Sequence, residues 1–227
     1  MKDIDAIAVL QDPVRRRLYE YVAAQGREVG RNEAAEAAGV ARTLAAHHLD
    51  KLTEAGLLES GSRRLTGRSG PGAGRPAKVY TRARAERSVS LPARDYRTAA
   101  ELLAEAAEQA GLDAGLCAAA RRRGEALRGS AEPCGGLAEA MEVLAARGYE
   151  PHLEAGPEGA AGEAVPSVRM RNCPFHAVAE RFPPLVCGMN LALLEGLLGA
   201  GGPVRARMDA RPGECCVVVE ASKNDDR

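Results

Sequence analysis

The chain has 227 residues with 31 Lys+Arg and 31 Asp+Glu, so its formal net charge is zero, and 45% of it is apolar. This length suits one large domain or two small ones. No apolar run is long enough to cross a membrane, and the first residues, Met1, Lys2 and Asp3, do not begin a signal peptide. We therefore expect a cytoplasmic protein with no membrane partner, in which the six cysteines are thiols or metal ligands rather than a disulfide framework.

The neutral total hides two regions of opposite charge. Residues 1–97 contain 18 basic and 12 acidic residues, whereas residues 98–227 contain 13 and 19. Such asymmetry indicates a basic binding module joined to an acidic partner domain.

The first 60 residues carry the signals of three helices. Asp12-Pro13 is typical of a helix start, and apolar residues follow at helical spacing until about Gly26. A short Ala-rich helix then ends at Gly39, and a second runs from about 42 to 55, which is the helix-turn-helix pattern. We expect its inward face to hold Leu44, Leu49 and Leu52, with His48 packed beneath it. The outer face, our candidate for contact with DNA bases, holds Arg42, Thr43, Ala46, His47 and Lys51.

Two strand candidates follow, at 57–60 and 78–81, and flank a Gly-, Ser- and Pro-rich stretch. Between Gly61 and Arg84 there are seven basic residues and no acidic one. This pattern predicts a β-hairpin wing, in which Arg75 suits a minor groove. The alternative is a solvated loop. The cations suited to phosphates are Arg63, Arg64, Arg68 and Lys78.

The segments 10–16, 48–52 and 54–58 resemble the winged helix of the ArsR/MarR-type bacterial transcriptional regulators. The resemblance covers residues 1 to about 85. It implies a homodimer on a near-palindromic double-stranded DNA operator, with the second helix in the major groove. We assign residues 1–90 to this DNA-binding domain.

Residues 91–132 form a helical segment. The stretches 98–110 and 112–127 are rich in Ala, Leu, Glu and Arg, and Gly111 separates them. Their apolar stripe predicts a dimerisation surface, although packing on their own domain is the alternative. Cys117 is expected to be a buried thiol.

Residues 133–227 predict a mixed α+β domain with strands at 149–154, 165–172, 204–210 and 215–220. Cys173, Cys187 and Cys215 lie where an element begins or ends. Thiolates select iron–sulfur clusters, zinc or copper, and these widely spaced cysteines lack the close pair usual for zinc. Adjacent cysteines on a regular strand face opposite sides, which argues against Cys215 and Cys216 as equivalent ligands.

The segments 171–176, 185–190 and 212–216 resemble the sensor domain of SufR-type repressors of iron–sulfur assembly operons. The resemblance implies a [4Fe-4S] cluster held by Cys173, Cys187 and Cys215. Some members have a further cysteine where this chain has Ala160, which leaves the fourth ligand open. The candidates are Cys216, His152, His176, Glu158, Glu163, a non-protein thiol and water.

The expected protein is thus α+β, with a winged helix-turn-helix, a helical dimerisation segment and a mixed α+β sensor domain. A second hypothesis is a winged-helix regulator whose C-terminal domain binds zinc or a small organic effector. The cysteines would then have a structural role. An enzyme using Cys173 with His176 is disfavoured, because no orienting acid is recognisable. Cys134 lies outside the three segments that resemble the SufR-type sensor domain.

Overall fold

The computed structural model describes residues 2–63, 76–158 and 164–222. The chain divides into two compact units, Met1–Arg94 and Asp95–Arg227. We call them the N-terminal and C-terminal units. The helical segment was predicted at 91–132, and the structure groups its residues 95–132 with the C-terminal sheet.

The N-terminal unit combines helices with a small antiparallel sheet in the order β1-β3-β2. Its elements are α1 (Lys2–Ala8), a 3-10 turn (Val9–Gln11), α2 (Pro13–Gln25), β1 (Val29–Gly30), α3 (Arg31–Ala38), α4 (Arg42–Glu54), β2 (Leu58–Arg63) and β3 (Ala77–Arg82). The predicted α+β character, helix-turn-helix and wing strands are all present. Strand β1 has only two residues, too few for a period to appear in the sequence.

Local capping explains where the helices begin and end. The Asp12 carboxylate accepts hydrogen bonds from the backbone N–H groups of Val14 and Arg15, at 2.9 and 3.0 Å. Gly26 ends α2 and Gly39 ends α3, with φ values of 61° and 65° that favour glycine. The helix boundaries predicted from Asp12, Gly26 and Gly39 are therefore confirmed.

The inward face of α4 differs from the prediction at one residue. Leu49 and Leu52 are buried as expected, but Leu44 is 42% exposed. The buried stripe instead begins at Ala45 and continues through His48, Leu49 and Leu52. Because consecutive helical residues are rotated by about 100°, Leu44 lies to one side of this stripe. The prediction assumed that a leucine marks the core, whereas the small Ala45 allows α4 to pack closely.

The C-terminal unit has an antiparallel sheet in the order β4-β5-β7-β6 and five helices within the described residues. Its elements are α5 (Tyr96–Gln109), α6 (Asp113–Arg128), α7 (Leu137–Ala145), β4 (Pro151–Glu158), β5 (Ala164–Met170), α8 (His176–Ala179), α9 (Pro183–Leu198), β6 (Val204–Met208) and β7 (Val217–Ala221). Its main core includes Leu144, Met170, Leu194, Val217 and Val219.

Helices α6 and α9 cross with their backbones in contact. A Cβ on Gly124 would overlap the Leu193 carbonyl oxygen and lie 2.7 Å from the Leu197 amide nitrogen. A Cβ on Gly196 would in turn overlap the Arg121 carbonyl oxygen. Only glycine fits on each side of this crossing. Helix α6, which ends the predicted helical segment, is therefore fixed to α9, the helix that carries Cys187.

Strand β7 begins later than predicted. Cys215 and Cys216 lie before Val217, in the turn that follows β6. The Cys215 N–H donates to the Met170 carbonyl at 2.9 Å, and the Asp209 N–H donates to the Cys216 carbonyl at 2.8 Å. The alternation of a regular strand therefore does not apply to the two cysteines, so strand geometry does not prevent Cys215 and Cys216 from acting as equivalent ligands. No helix in the described parts of the chain is long and apolar enough to cross a membrane.

Candidate functional site

The outer face of α4 presents most of the residues predicted to contact DNA. Arg42, Thr43 and His47 are exposed, and Ala46 is half-buried. Lys51 is exposed as well, but its ammonium group lies 2.7 Å from the Glu54 carboxylate, one turn further along. The free polar groups of this face are thus concentrated in the first two turns of α4, which is where a recognition helix contacts base edges.

Leu44 adds an apolar group to the same end of α4. Its exposure places a branched side chain beside Arg42 and Thr43. An exposed aliphatic group on a recognition helix suits the methyl group of thymine in the major groove. Leu44 was predicted to lie in the core, and the apolar stripe that runs through Ala45 was the signal for its exposure.

Asp50 connects the recognition helix to the wing. Its carboxylate accepts hydrogen bonds from Lys78 Nζ and the Tyr80 hydroxyl, both at 2.7 Å, and it pairs with Arg31 at 3.3 Å. Burial opposes ionisation, but the bonds from Lys78 and Tyr80 outweigh it and lower the pKa of the Asp50 carboxyl. Lys78, predicted to contact phosphate, therefore binds Asp50 in the structure and fixes β3 to α4.

One further predicted DNA contact on the wing lies within the described residues. Arg63, at the end of β2, is exposed and lies 3.5 Å from Glu28. Arg64, Arg68 and Arg75 lie outside the described residues.

His48 is buried beneath α4 as expected, and this burial lowers the pKa of its imidazole.

The C-terminal unit gathers four cysteines from three separate segments. The Cys173 thiol, between β5 and α8, hydrogen-bonds the sulfur of Cys215. Cys187, near the start of α9, is joined to Cys216 as a disulfide, with a Cα–Cα distance of 6.4 Å. Since Cys215 and Cys216 are consecutive, the two pairs are neighbours. The three cysteines predicted as ligands thus share one region with Cys216, although 42 residues separate the first from the third.

A buried asparagine completes this cysteine site. Asn190 lies one turn after Cys187 on α9 and is 1% exposed. Its amide donates to Cys215 Sγ at 3.4 Å, and its carbonyl oxygen accepts from the Tyr149 hydroxyl at 2.5 Å. Neither residue was predicted from the sequence as part of a site, although the polar side chain of Asn190 within an apolar helix was a usable signal.

The thiols of the Cys173–Cys215 pair are electrostatically unequal. The hydrogen bond from Cys173 outweighs burial and lowers the pKa of the Cys215 thiol below its ordinary value. The pKa of Cys173 is raised, first by its hydrogen bond to Cys215 and then by burial. Cys215 is therefore the thiol of this pair that loses its proton first, which is the form that binds metal.

Arg169 fixes the turn that carries Cys215 and Cys216. It is 1% exposed and forms ion pairs with Glu154 at 3.0 Å, with Asp209, and with Glu214 at 3.6 Å. Glu214 immediately precedes Cys215. A buried arginine needs such partners to offset its desolvation, so the network holds the turn against β4 and β5.

The other candidates for a fourth ligand have different surroundings. His152 lies 3.5 Å from Glu214, and burial lowers the pKa of its imidazole. His176 is 66% exposed and lies 3.2 Å from Glu180. Glu163 and the side chain of Glu158 lie outside the described residues, as does Ala160. Over the described ranges, no three His, Cys, Asp or Glu side chains are grouped as ligands of a single metal ion.

Two further cysteines, Cys134 and Cys117, belong to neither pair. Cys134 is 3% exposed in the main core, and burial raises the pKa of its thiol. Cys117, on α6, is half-buried, and its sulfur would lie 3.7 Å from a Cβ on Gly188 of α9.

Helix α5 carries an exposed apolar face beside its packed one. Tyr96 is 74% exposed and Leu103 is 72% exposed. With exposed alanines they form a stripe spaced alternately by three and four residues, which is the a/d pattern of paired helices. The stripe, here called the α5 stripe, contains Tyr96, Ala99, Leu103, Ala106 and Ala110. A separate pair, Ala104 and Ala107, packs toward the remainder of the C-terminal unit.

Comparison with known proteins identifies one region. A family model described as a helix-turn-helix domain matches residues 10–61, which run from the turn before α2 into β2. No curated protein and no solved structure shows a significant match to the chain. With the geometry of α3, α4 and the β2–β3 hairpin, the match identifies the N-terminal unit as a winged helix-turn-helix domain of the kind found in DNA-binding transcriptional regulators.

Proposed function

We propose that the protein is a homodimeric repressor of iron–sulfur cluster assembly genes, and that a [4Fe-4S] cluster in its C-terminal unit sets its affinity for a double-stranded DNA operator. The observation that carries the proposal is the convergence of Cys173, Cys187, Cys215 and Cys216 from three distant segments. The resemblance to SufR-type sensors supplies the identity of the group.

The donor set fits such a group. An iron–sulfur cluster is held by cysteine thiolates, and its iron atoms are spread over a cube, so its ligands need not meet at one point as those of a single ion do. Four cysteines arranged as two neighbouring pairs match that requirement. The Asn190 amide donates to Cys215 Sγ, and hydrogen bonds to ligating sulfurs tune cluster potentials. When bound, the cluster would supply sensitivity to oxidants and to iron supply.

Cys216 is our choice for the fourth ligand. Its sulfur adjoins that of Cys187, whereas His152 and His176 interact with Glu214 and Glu180. The turn before β7 allows Cys215 and Cys216 to face different partners. A thiolate is also the softer donor for iron–sulfur chemistry.

The α5 stripe is our candidate for the dimer interface, occupied by a second copy of this chain. Arg97 lies near the start of α5, whereas Glu105 and Glu108 lie near its end. An antiparallel pair of α5 helices would place the basic end of each beside the acidic end of the other. Such an arrangement is self-complementary, as a two-fold interface requires.

The cysteine site has a continuous route to this interface. Cys187 and Asn190 lie on α9, and α9 is fixed to α6 through the glycine contact at Gly124 and Gly196. Helix α6 follows directly after α5. A change in the position of α9 would move α6 and the dimer face together, and a coupling of about 1–3 kcal/mol would change operator affinity about 5- to 150-fold.

The decisive test is the visible spectrum and the iron, sulfide and zinc content of protein purified without oxygen. We expect a brown protein with about four iron and four sulfide per chain. A Cys187→Ser variant should be colourless, whereas Cys134→Ser should match the wild type. DNA affinity is then measured on a duplex selected from a random library. A colourless wild type with no iron after attempted reconstitution would refute the cluster, and one equivalent of zinc would favour the second hypothesis.

The dimer face is tested separately, by analytical ultracentrifugation. Leu103→Glu places a charge in the centre of the α5 stripe and is expected to yield monomers. Thr98→Glu adds the same charge to an exposed position outside the stripe and should leave the dimer intact. A wild-type monomer, or a dimer that persists in Leu103→Glu, would contradict this interface.

A further inference from the structure

Cys187 and Cys216 are placed to form a covalent pair. Cys187 lies in the second turn of α9 and Cys216 lies in the turn before β7. Their Cα atoms are 6.4 Å apart, within the range that a disulfide spans without movement of the backbone. The structure joins their sulfurs.

Secondary structure and backbone contacts hold the two cysteines independently of that bond. Cys187 is part of α9, and the Val186 N–H just before it donates to the Phe182 carbonyl at 3.0 Å at the start of that helix. On the other side, the Asp209 N–H donates to the Cys216 carbonyl, and Arg169 binds Asp209. The two segments therefore remain in register when the sulfurs are reduced, so the bond can form and break without refolding of the domain.

The pair is also accessible. Cys187 and Cys216 are both half-buried, whereas Cys215 is 2% exposed and Cys134 is 3% exposed. A small oxidant in water reaches exposed thiols first, and disulfides in cytoplasmic proteins are usually transient and redox-sensing.

We propose that Cys187 and Cys216 form a reversible dithiol–disulfide couple, oxidised by hydrogen peroxide in the cluster-free protein, and that the disulfide blocks uptake of the cluster. The blocking role rests on the proposed function, because it requires Cys187 to be a cluster ligand. A sulfur in a disulfide has no thiolate to donate to iron.

The chemistry balances with peroxide as the oxidant. One thiolate attacks an oxygen of hydrogen peroxide, the O–O bond breaks, and a sulfenic acid and hydroxide form. The second sulfur attacks the sulfenic sulfur and displaces hydroxide. With the two thiol protons the products are one disulfide and two waters, and the peroxide has accepted two electrons. A dithiol reductant reverses the change by thiol–disulfide exchange.

The test begins with peptide mapping of the full-length apoprotein. The protein is treated with hydrogen peroxide, free thiols are alkylated, and disulfide-linked peptides are identified by mass spectrometry before and after a dithiol reductant. We expect a reversible link between Cys187 and Cys216 in the wild type and in Cys134→Ser, and its absence in Cys216→Ser. A link between other cysteines, or none, would overturn the redox couple, and the wild-type map decides this even where a variant fails to fold.

The second measurement is transfer of a preassembled [4Fe-4S] cluster from a loaded carrier protein, with no free reductant present. Oxidised wild type should take up the cluster about tenfold or more slowly than pre-reduced wild type, whereas Cys134→Ser should behave as the wild type. Equal uptake by the two forms would overturn the blocking role. If the pre-reduced protein also takes up no cluster, the proposed function and the blocking role fail together, and the mapped link decides the redox couple alone.

Discussion

The two units of this protein are specified by interactions of different range. In the N-terminal unit, the helices are bounded by local signals, such as the Asp12 cap two and three residues from its donors. In the C-terminal unit, the decisive contacts join distant segments: Tyr149 bonds Asn190, and Arg121 pairs with Glu195 at 2.5 Å. The residues predicted to contact DNA thus lie on an exposed face of the N-terminal unit, whereas the geometry of the cysteine site depends on how the C-terminal unit packs.

The largest effect is expected from Gly124→Val, which tests how strongly the C-terminal unit depends on one helix crossing. The new side chain would overlap the backbone of α9, which cannot move aside, and we expect a loss of about 3 kcal/mol or more in stability. Urea denaturation followed by circular dichroism should show early unfolding of the C-terminal unit only. Gly115→Ala, on the same helix but in open space, should instead stabilise the protein by about 0.5–1 kcal/mol. Equal behaviour of the two variants would contradict the crossing.

Asn190→Leu probes the interior of the cysteine site. It removes the donor to Cys215 and leaves the Tyr149 hydroxyl buried without its partner, at a cost of about 1–3 kcal/mol. Adding Tyr149→Phe removes that unpaired hydroxyl and should recover part of the loss. Thermal melts of the two single variants and the double variant form a cycle, and strictly additive effects would argue against the hydrogen bond.

Arg42→Ala addresses the exposed face of α4. If Arg42 contacts a base edge, its removal should weaken binding to the selected operator by about 1–3 kcal/mol with unchanged thermal stability. Arg17→Ala removes the same charge from an exposed position on α2 and serves as the control. Fluorescence anisotropy measures both affinities, and a loss that is no greater for Arg42→Ala than for Arg17→Ala would exclude a base contact.

The smallest effect concerns Asp50, where the N-terminal unit does depend on a longer-range contact. The pKa of the Asp50 carboxyl is lowered by Lys78 and Tyr80, so its stabilising contribution is fully present above the ordinary value of 3.8 and is lost as pH falls through the lower folded-state value. Because the side chain is 40% exposed, we expect only about 0.5–1 kcal/mol. Asp50→Asn should lower the free energy of unfolding by that amount at neutral pH. When this free energy is measured against pH, it should fall less steeply in acid for the variant than for the wild type.

The sequence was most informative where the signals are local. The Asp12-Pro13 start, the glycine ends of α2 and α3, and the two wing strands could all be predicted directly. Leu44 was misplaced because apolarity alone does not fix the rotation of a helix about its axis, and the small Ala45 determined it. The pairing of Lys78 with Asp50 was not predicted, because the two residues are 28 positions apart and only the fold brings them together.

The cysteine site was predictable in composition but not in arrangement. The widely spaced cysteines identified Cys173, Cys187 and Cys215 as candidates, whereas the pairing of Cys187 with Cys216 depends on where β7 begins. That start is fixed by the Cys215 N–H bond to Met170, a contact between positions 45 residues apart. Asn190, Tyr149 and Arg169 were missed for the same reason, since each acts through partners distant in sequence.

The ion pair between Asp50 and Lys78 has a consequence for how salt affects DNA binding. A lysine that neutralises a phosphate releases condensed counterions, and each such contact makes the slope of log K against log salt steeper by about 0.9. Lys78 already has a carboxylate at 2.7 Å, so its charge is largely compensated before any duplex approaches. Strand β3 would then contribute little to the slope of log K against log salt. Asp50, an acidic residue on the recognition helix, would therefore lower the share of the DNA-binding free energy that comes from counterion release and raise the share that comes from direct contact with the bases.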